Sequence, residues 1–159
     1  MILWSLIVVI IIALDQISKY WVINNIGPTD SITVIPDVID FVYVKNTGAA
    51  FSFLADKTYG IILLSCISVA FCVGVVWFMI KKKPQNKLLT ISLALMLSGA
   101  LGNVIDRIFR GYVVDFIETT FIKFPVFNVA DIAITLGAAL VIIFVLFFDK
   151  SKNSEEQEK

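Results

Sequence analysis

Twenty consecutive residues, Ile61 to Ile80, carry no charge. A helix of about 20 apolar residues crosses the roughly 30 Å hydrocarbon core of a bilayer, where each backbone polar group must find its partner inside the protein. The feature recurs along the chain. Phe127 to Phe148 is 22 residues long with Asp131 as its only charge, and Leu88 to Ile105 has none. Ile2 to Leu14 is largely apolar but, at 13 residues, too short to span alone; continued as a helix through Ile23 it is long enough. A cleaved signal peptide would want basic residues before this run and a small-residue cleavage site after it. Neither is present, so a retained helix is predicted. The chain is 58% hydrophobic with a mean hydropathy of +0.91 and only 16% charged residues, against about 25% in soluble domains. The expected architecture is a single membrane domain over residues 1–148, with spans near 2–23, 61–80, 88–105 and 127–148.

Between the second and third spans stands Lys81-Lys82-Lys83-Pro84-Gln85-Asn86-Lys87, with four lysines and no acid. Short loops this basic stay in the cytoplasm. That places both termini inside, residues 24–58 and 106–126 outside, and 149–159 as a disordered cytoplasmic tail. Gly27-Pro28 ends the first helix. From Asp30 to Asp56, Ile32, Val34, Ile35, Val38, Ile39, Phe41, Val42, Tyr43 and Val44 favour short strands lying on the membrane surface. The fold class expected is membrane α-helical, four transmembrane helices with a small extracytoplasmic β-structured region and a short surface helix. Asn46-Thr47-Gly48-Ala49-Ala50-Phe51 follows; its small residues permit close backbone approach, either to another element or to an extended peptide, which the neighbouring strands could hold by main-chain hydrogen bonds.

Formal net charge is zero, 13 basic against 13 acidic residues, so binding of nucleic acid through a basic surface has no support. The absence of histidine removes His-activated nucleophiles, His-ligated zinc and histidine proton relays. Cys66 and Cys72, about 240° apart around one helix, cannot pair within it and read as small apolar core residues.

Carboxylates inside or beside spans are costly and are read as sites with a partner. For Asp131 the partner of choice is Asp115, in the apolar stretch Tyr112 to Ile117, joined by a short connection that can fold back. Asp15 and Lys19, at i and i+4, share a helix face as a local ion pair or as a brace for the site end of the helix. Gly99, Gly102, Asn103 and Asp106 share another face, which reads as tight packing with Asn103 as interhelical glue. With Arg107 they also point a polar helix end towards Asp115 and Asp131. Asn128 and Asp131 are i and i+3. Two carboxylates sharing a site hold one proton between them, one activating a water and the other polarising a carbonyl. No metal or cofactor is needed for that chemistry. The other reading of the same aspartates is an ion path in a small membrane transporter or proton channel, although no inverted repeat or broken helix pair supports it.

In order, Asp15-Gln16-x-x-Lys19, Asn46-x-Gly48-Ala49-Ala50-Phe51, Gly99-Ala100-x-Gly102-Asn103-x-x-Asp106-Arg107, Val113-Val114-Asp115-Phe116 and Phe127-Asn128-x-Ala130-Asp131 resemble the bacterial lipoprotein signal peptidases (signal peptidase II). The resemblance covers residues 14 to 137. It implies an aspartic endopeptidase of the cytoplasmic membrane that cuts prolipoproteins before a diacylglyceryl-modified cysteine, at the extracytoplasmic face. Besides those substrates, membrane lipids are the expected partners, and a monomer is the expected state. By position Asp115 and Asp131 resemble the catalytic pair, Asn46, Gly48, Asn103, Arg107, Asn128 and Ala130 the surrounding positions, and Asp15, Lys19 and Asp106 supports. Ile132 stands where many members have serine, and no basic residues precede the first span.

Overall fold

A computed structural model describes residues 2–48 and 58–148. Ala49, Ala50, Phe51 and Asp56 of the outer segment, and the tail 149–159, lie outside the described residues. The element order is α1 (Ile2–Asn25), β1 (Ser31–Ile35), β2 (Ile39–Asn46), α2 (Thr58–Lys82), α3 (Lys87–Arg110), β3 (Val113–Thr119) and α4 (Val129–Phe147). All four helices are long and apolar enough to cross a membrane. Among the described residues there is no separate short surface helix.

α3 is the central post. Half of its apolar window is buried inside the protein, against 11% for α2 and 17% for α1 and α4, and each of the other three helices packs on it. The composition explains this: Ser92, Ala94, Ser98, Gly99, Ala100 and Gly102 are buried along it, and small residues let helices approach in the absence of a hydrophobic drive between them. At Gly99 the approach is so close that a Cβ would collide with the Ala130 carbonyl oxygen of α4. A Cβ at Gly137 would lie 2.7 Å from the Ser92 carbonyl oxygen. Val8, Cys72, Val75, Met79, Leu97 and their neighbours form one apolar cluster where α1, α2 and α3 meet. Cys72 is thus a core residue as expected, whereas Cys66 is exposed.

The helix ends differ from the expected span limits, for physical reasons. α3 continues beyond Ile105 to Arg110, so Asp106 and Arg107 belong to a helix rather than to an outer loop. The extra turn is tolerated because Asp106 pairs with Arg110 at i+4. It ends at Gly111, whose left-handed φ of 76° suits glycine and sends its N–H to the Arg107 carbonyl. α4 begins at Val129, not Phe127; Phe127 instead bridges Ile117. Lys81 and Lys82 form the last turn of α2, where cations suit the helix dipole.

The expected strands are joined by a third. The sheet runs β1-β2-β3, antiparallel throughout. Pro36 and Asp37 (φ 60°) turn β1 into β2, with Val38 N–H on the Ile35 carbonyl. In the β2–β3 register, Asn46 faces Val113 and Val44 faces Asp115. Val22 and Ile26 of α1 pack with Val114 and Phe116 of β3, seating the sheet on the helix ends remote from the lysine loop.

Candidate active site

The site grows from an ion cluster. Lys19 on α1 is fully buried, and its ammonium lies 2.9 Å from Asp15 Oδ2, 3.0 Å from Asp106 Oδ2 and 3.0 Å from Asn103 Oδ1. Three N–H bonds meet three acceptors, which is all an ammonium can donate. Asp15 and Asp106 are equally buried, and each is satisfied further. Asp15 Oδ1 accepts the Ala130 N–H at 3.0 Å, tying α1 to the start of α4. Asp106 Oδ2 accepts the Val114 N–H at 3.1 Å, tying α3 to β3. Arg110 donates to Asp106 Oδ1. The local ion pair expected of Asp15 and Lys19 is present, and it is one edge of a brace joining four elements.

That brace orients the next layer. The Lys19 ammonium fixes the amide oxygen of Asn103, so the Asn103 NH₂ faces the other way and donates to Asp131 Oδ1 at 2.9 Å. Asn128, fully buried, is the N-cap of α4. Its side-chain oxygen accepts the Asp131 N–H at 3.0 Å, and its backbone N–H reaches Asp131 Oδ2 at 3.2 Å, a reciprocal capping box. The Asn128 NH₂ donates to Asp115 Oδ1 at 2.7 Å. Asn46 on β2 donates to Asp115 Oδ2 at 2.8 Å, and its own amide oxygen accepts the Gly48 N–H at 3.0 Å. Each carboxylate therefore has both oxygens held by amide donors. Among the described residues no buried side-chain nitrogen or oxygen lacks a partner.

Asp115 is buried on β3 and Asp131 is half-buried. The Asp115 carboxyl is pushed up to about 6, chiefly by burial; the Asp131 charge adds to the rise, while Asn46, Asn128 and the Lys19 ammonium oppose it. Arg107, half-buried on α3, interacts electrostatically with Asp131, Asp115 and Asp106. Ala130 serves by its backbone N–H and by being small: Gly102 and Ala130 are so close that a Cβ on the glycine would lie 3.3 Å from the alanine methyl.

Asp15, Lys19, Asn46, Asn103, Asp106, Asp115, Asn128, Ala130 and Asp131 are thus joined by hydrogen bonds and ion pairs into one connected region, with Gly48 at its edge and Arg107 coupled to it electrostatically. Two further members join it: Arg110, and Gln16, which stands in the Asp15-Gln16-x-x-Lys19 motif but was given no role. Gln16 donates to Asp15 Oδ2, the Gly102 carbonyl and Asp106 Oδ1, and accepts from Arg110. Arg110 neutralises the outer side of Asp106. The i, i+4 spacing from Asp106 was a signal for Arg110; for Gln16 the signal was its place in the motif beside Asp15.

Comparison with known proteins bears on the chain as a whole. The family model described as signal peptidase (SPase) II matches residues 7–147. The lipoprotein signal peptidase of Pasteurella multocida is 45% identical over 92% of this chain and 87% of its own length. That of Lactococcus lactis subsp. lactis is 40% identical, covering 94% and 98%. A bacterial membrane enzyme solved by the in meso method superposes with a TM-score of 0.84 at 36% identity, covering 94% of this chain and 90% of that one. A family match over nearly the whole chain, with relatives this similar at full length, makes this four-helix membrane protein a member of the signal peptidase II family.

Proposed function

We propose that this chain is a lipoprotein signal peptidase, an aspartic endopeptidase that removes the signal peptide from prolipoproteins by cutting before the diacylglyceryl-modified cysteine. One observation carries the reading. Asp115 and Asp131 come from different elements, yet Asn128 donates hydrogen bonds to both. In the proposed reaction the ionised carboxylate takes a proton from water while its protonated partner hydrogen-bonds the scissile carbonyl. The hydroxide equivalent adds to the carbonyl carbon, the C–N bond breaks, and the departing amine receives a proton from the pair. No covalent enzyme intermediate forms. Asn46, Asn103 and Asn128 hold the pair, Arg107 supplies positive charge beside it, and the Asp15–Lys19–Asp106 cluster braces the whole. The direct test is purified protein with a diacylglyceryl-modified prolipoprotein, read by gel shift; no shift would sink the proposal. Cleavage should survive EDTA, and a loss restored by zinc would overturn the carboxylate-water mechanism.

The pair should also set the pH profile. A carboxyl raised to about 6 keeps its proton where an ordinary aspartate has lost it, and loses it as pH rises past that value. If one shared proton is required, kcat/KM falls on the alkaline side. Asn46 opposes the rise by hydrogen-bonding the ionised form, so Asn46→Ala should move that alkaline limb to higher pH. A limb that stays put, or moves down, would detach Asp115 from the rate.

The proposed location is the bacterial cytoplasmic membrane, with both termini in the cytoplasm and the site at the outer face. It rests on the lysine-rich turn between α2 and α3. In a cysteine-free background, a cysteine at Asp37 should react with an impermeant thiol reagent in intact cells, and one at Gln85 should not. The reverse pattern would put the site on the wrong side.

A further inference from the structure

At the end of the bundle opposite the carboxylates, a cleft of about 240 Å³ is lined by Trp4 of α1, Met79 of α2, Thr90 of α3 and the connecting Lys83, Pro84 and Gln85. Its walls are of two kinds. Met79 is buried in the apolar cluster against which Trp4 packs, whereas Lys83, Gln85 and Thr90 bring polar groups. Lys81, Lys82 and Lys87, exposed, flank its lining residues in sequence, and no acid occurs from Lys81 to Lys87. Lys83 adopts φ 44°, a conformation uncommon outside glycine, and Gln85 Nε2 holds its carbonyl at 2.9 Å.

The position matters as much as the charge. α2 ends at Lys82 and α3 starts at Lys87, so the cleft sits where two spans leave the hydrocarbon. Leu6, Trp77 and Ile80, close in sequence to Trp4 and Met79, are exposed apolar side chains. Apolar surface for acyl chains therefore leads up to a cationic hollow. A basic pocket between helices at the membrane boundary is the usual receptor for an anionic headgroup.

We propose that this cleft binds the phosphate headgroup of an anionic glycerophospholipid, with Lys83 as its principal cation. The site is distinct from the two-aspartate site and does not rest on the reading of it.

The full-length protein, purified in detergent, is titrated with phosphatidylglycerol or with phosphatidylcholine of the same acyl chains, and retention is read by native mass spectrometry. One phosphatidylglycerol should be retained at least about fivefold more tightly than phosphatidylcholine, the effect of one lysine at the interface. Lys83→Gln should weaken it about fivefold, with Lys82→Gln, the same charge change outside the cleft, doing much less. Gln85→Leu should also weaken it, and each variant is checked by its unfolding temperature. Equal retention of the two lipids would overturn the site. So would equal losses for Lys82→Gln and Lys83→Gln, since a diffuse field would then suffice.

Discussion

Asp115→Asn and Asp131→Asn should each lower cleavage by about 10²–10⁴-fold or more, the range expected for removing a general acid or base, while the protein still inserts and binds substrate. The geometry explains why folding should survive. Both oxygens of each carboxylate accept hydrogen bonds, from Asn46 and Asn128 at Asp115 and from Asn103 and the Asn128 N–H at Asp131. An amide keeps one of those two bonds and turns a nitrogen towards the other donor, at a cost of about 1–3 kcal/mol. The double variant should be no worse than either single one, because groups acting on one proton are not additive. Asp106→Asn, by contrast, should act through yield and stability, since Asp106 meets Lys19, Arg110 and the Val114 N–H. A well-folded Asp115→Asn or Asp131→Asn enzyme with near-normal turnover would end the two-aspartate reading. The reading fails equally if Asp106→Asn is the single well-folded inactive variant.

The largest stability effect should come from Lys19→Met. The substitution nearly preserves volume but removes the ammonium between two fully buried carboxylates, Asp15 and Asp106. Breaking a buried ion pair by deleting one partner costs about 3–5 kcal/mol, because the remaining charge has lost its compensation. Here two carboxylates are left facing one another, with Arg110 on one of them. Neutralising Asp15 as well should recover only part of the loss, since the Ala130 N–H would lose its charged acceptor. The measurement is the unfolding midpoint in detergent, with Lys45→Met as a reference: Lys45 is exposed and stacks over Tyr43 and Tyr112. A loss below about 1 kcal/mol would mean that the cluster is not the brace described.

Most of this site was legible because membrane sequence makes polar residues conspicuous. In Phe127–Phe148 one charge stands alone, and an isolated carboxylate there needs a partner. The spacing of Gly99, Gly102, Asn103 and Asp106 likewise placed them on one face, and the structure turns that face to α1 and α4. What escaped depended on pairing across the chain. Nothing in Val113–Thr119 says that it joins β2, because strand pairing is a tertiary choice that local pattern does not encode. The length of α3 was legible only in part, for a related reason. Hydropathy falls at Asp106, but the helix runs on to Arg110 because Arg110 and Lys19, the latter 87 positions earlier, neutralise its charge. The asparagines were seen as polar, but not as a relay in which one ammonium sets an amide that in turn holds a carboxylate.

The sheet register has a consequence for when the site comes into being during synthesis. Asn46 and Asp115 are 69 positions apart, and Asp15 and Ala130 are 115 apart. Contacts of such sequence separation form late, after the intervening chain has been made. β2 must therefore wait without its β3 partner until α2 and α3 are threaded, and Asp131 arrives only with the last helix. A nascent chain that stops before Asp131 lacks one of the two carboxylates altogether, so on the proposed two-aspartate chemistry it should cut nothing.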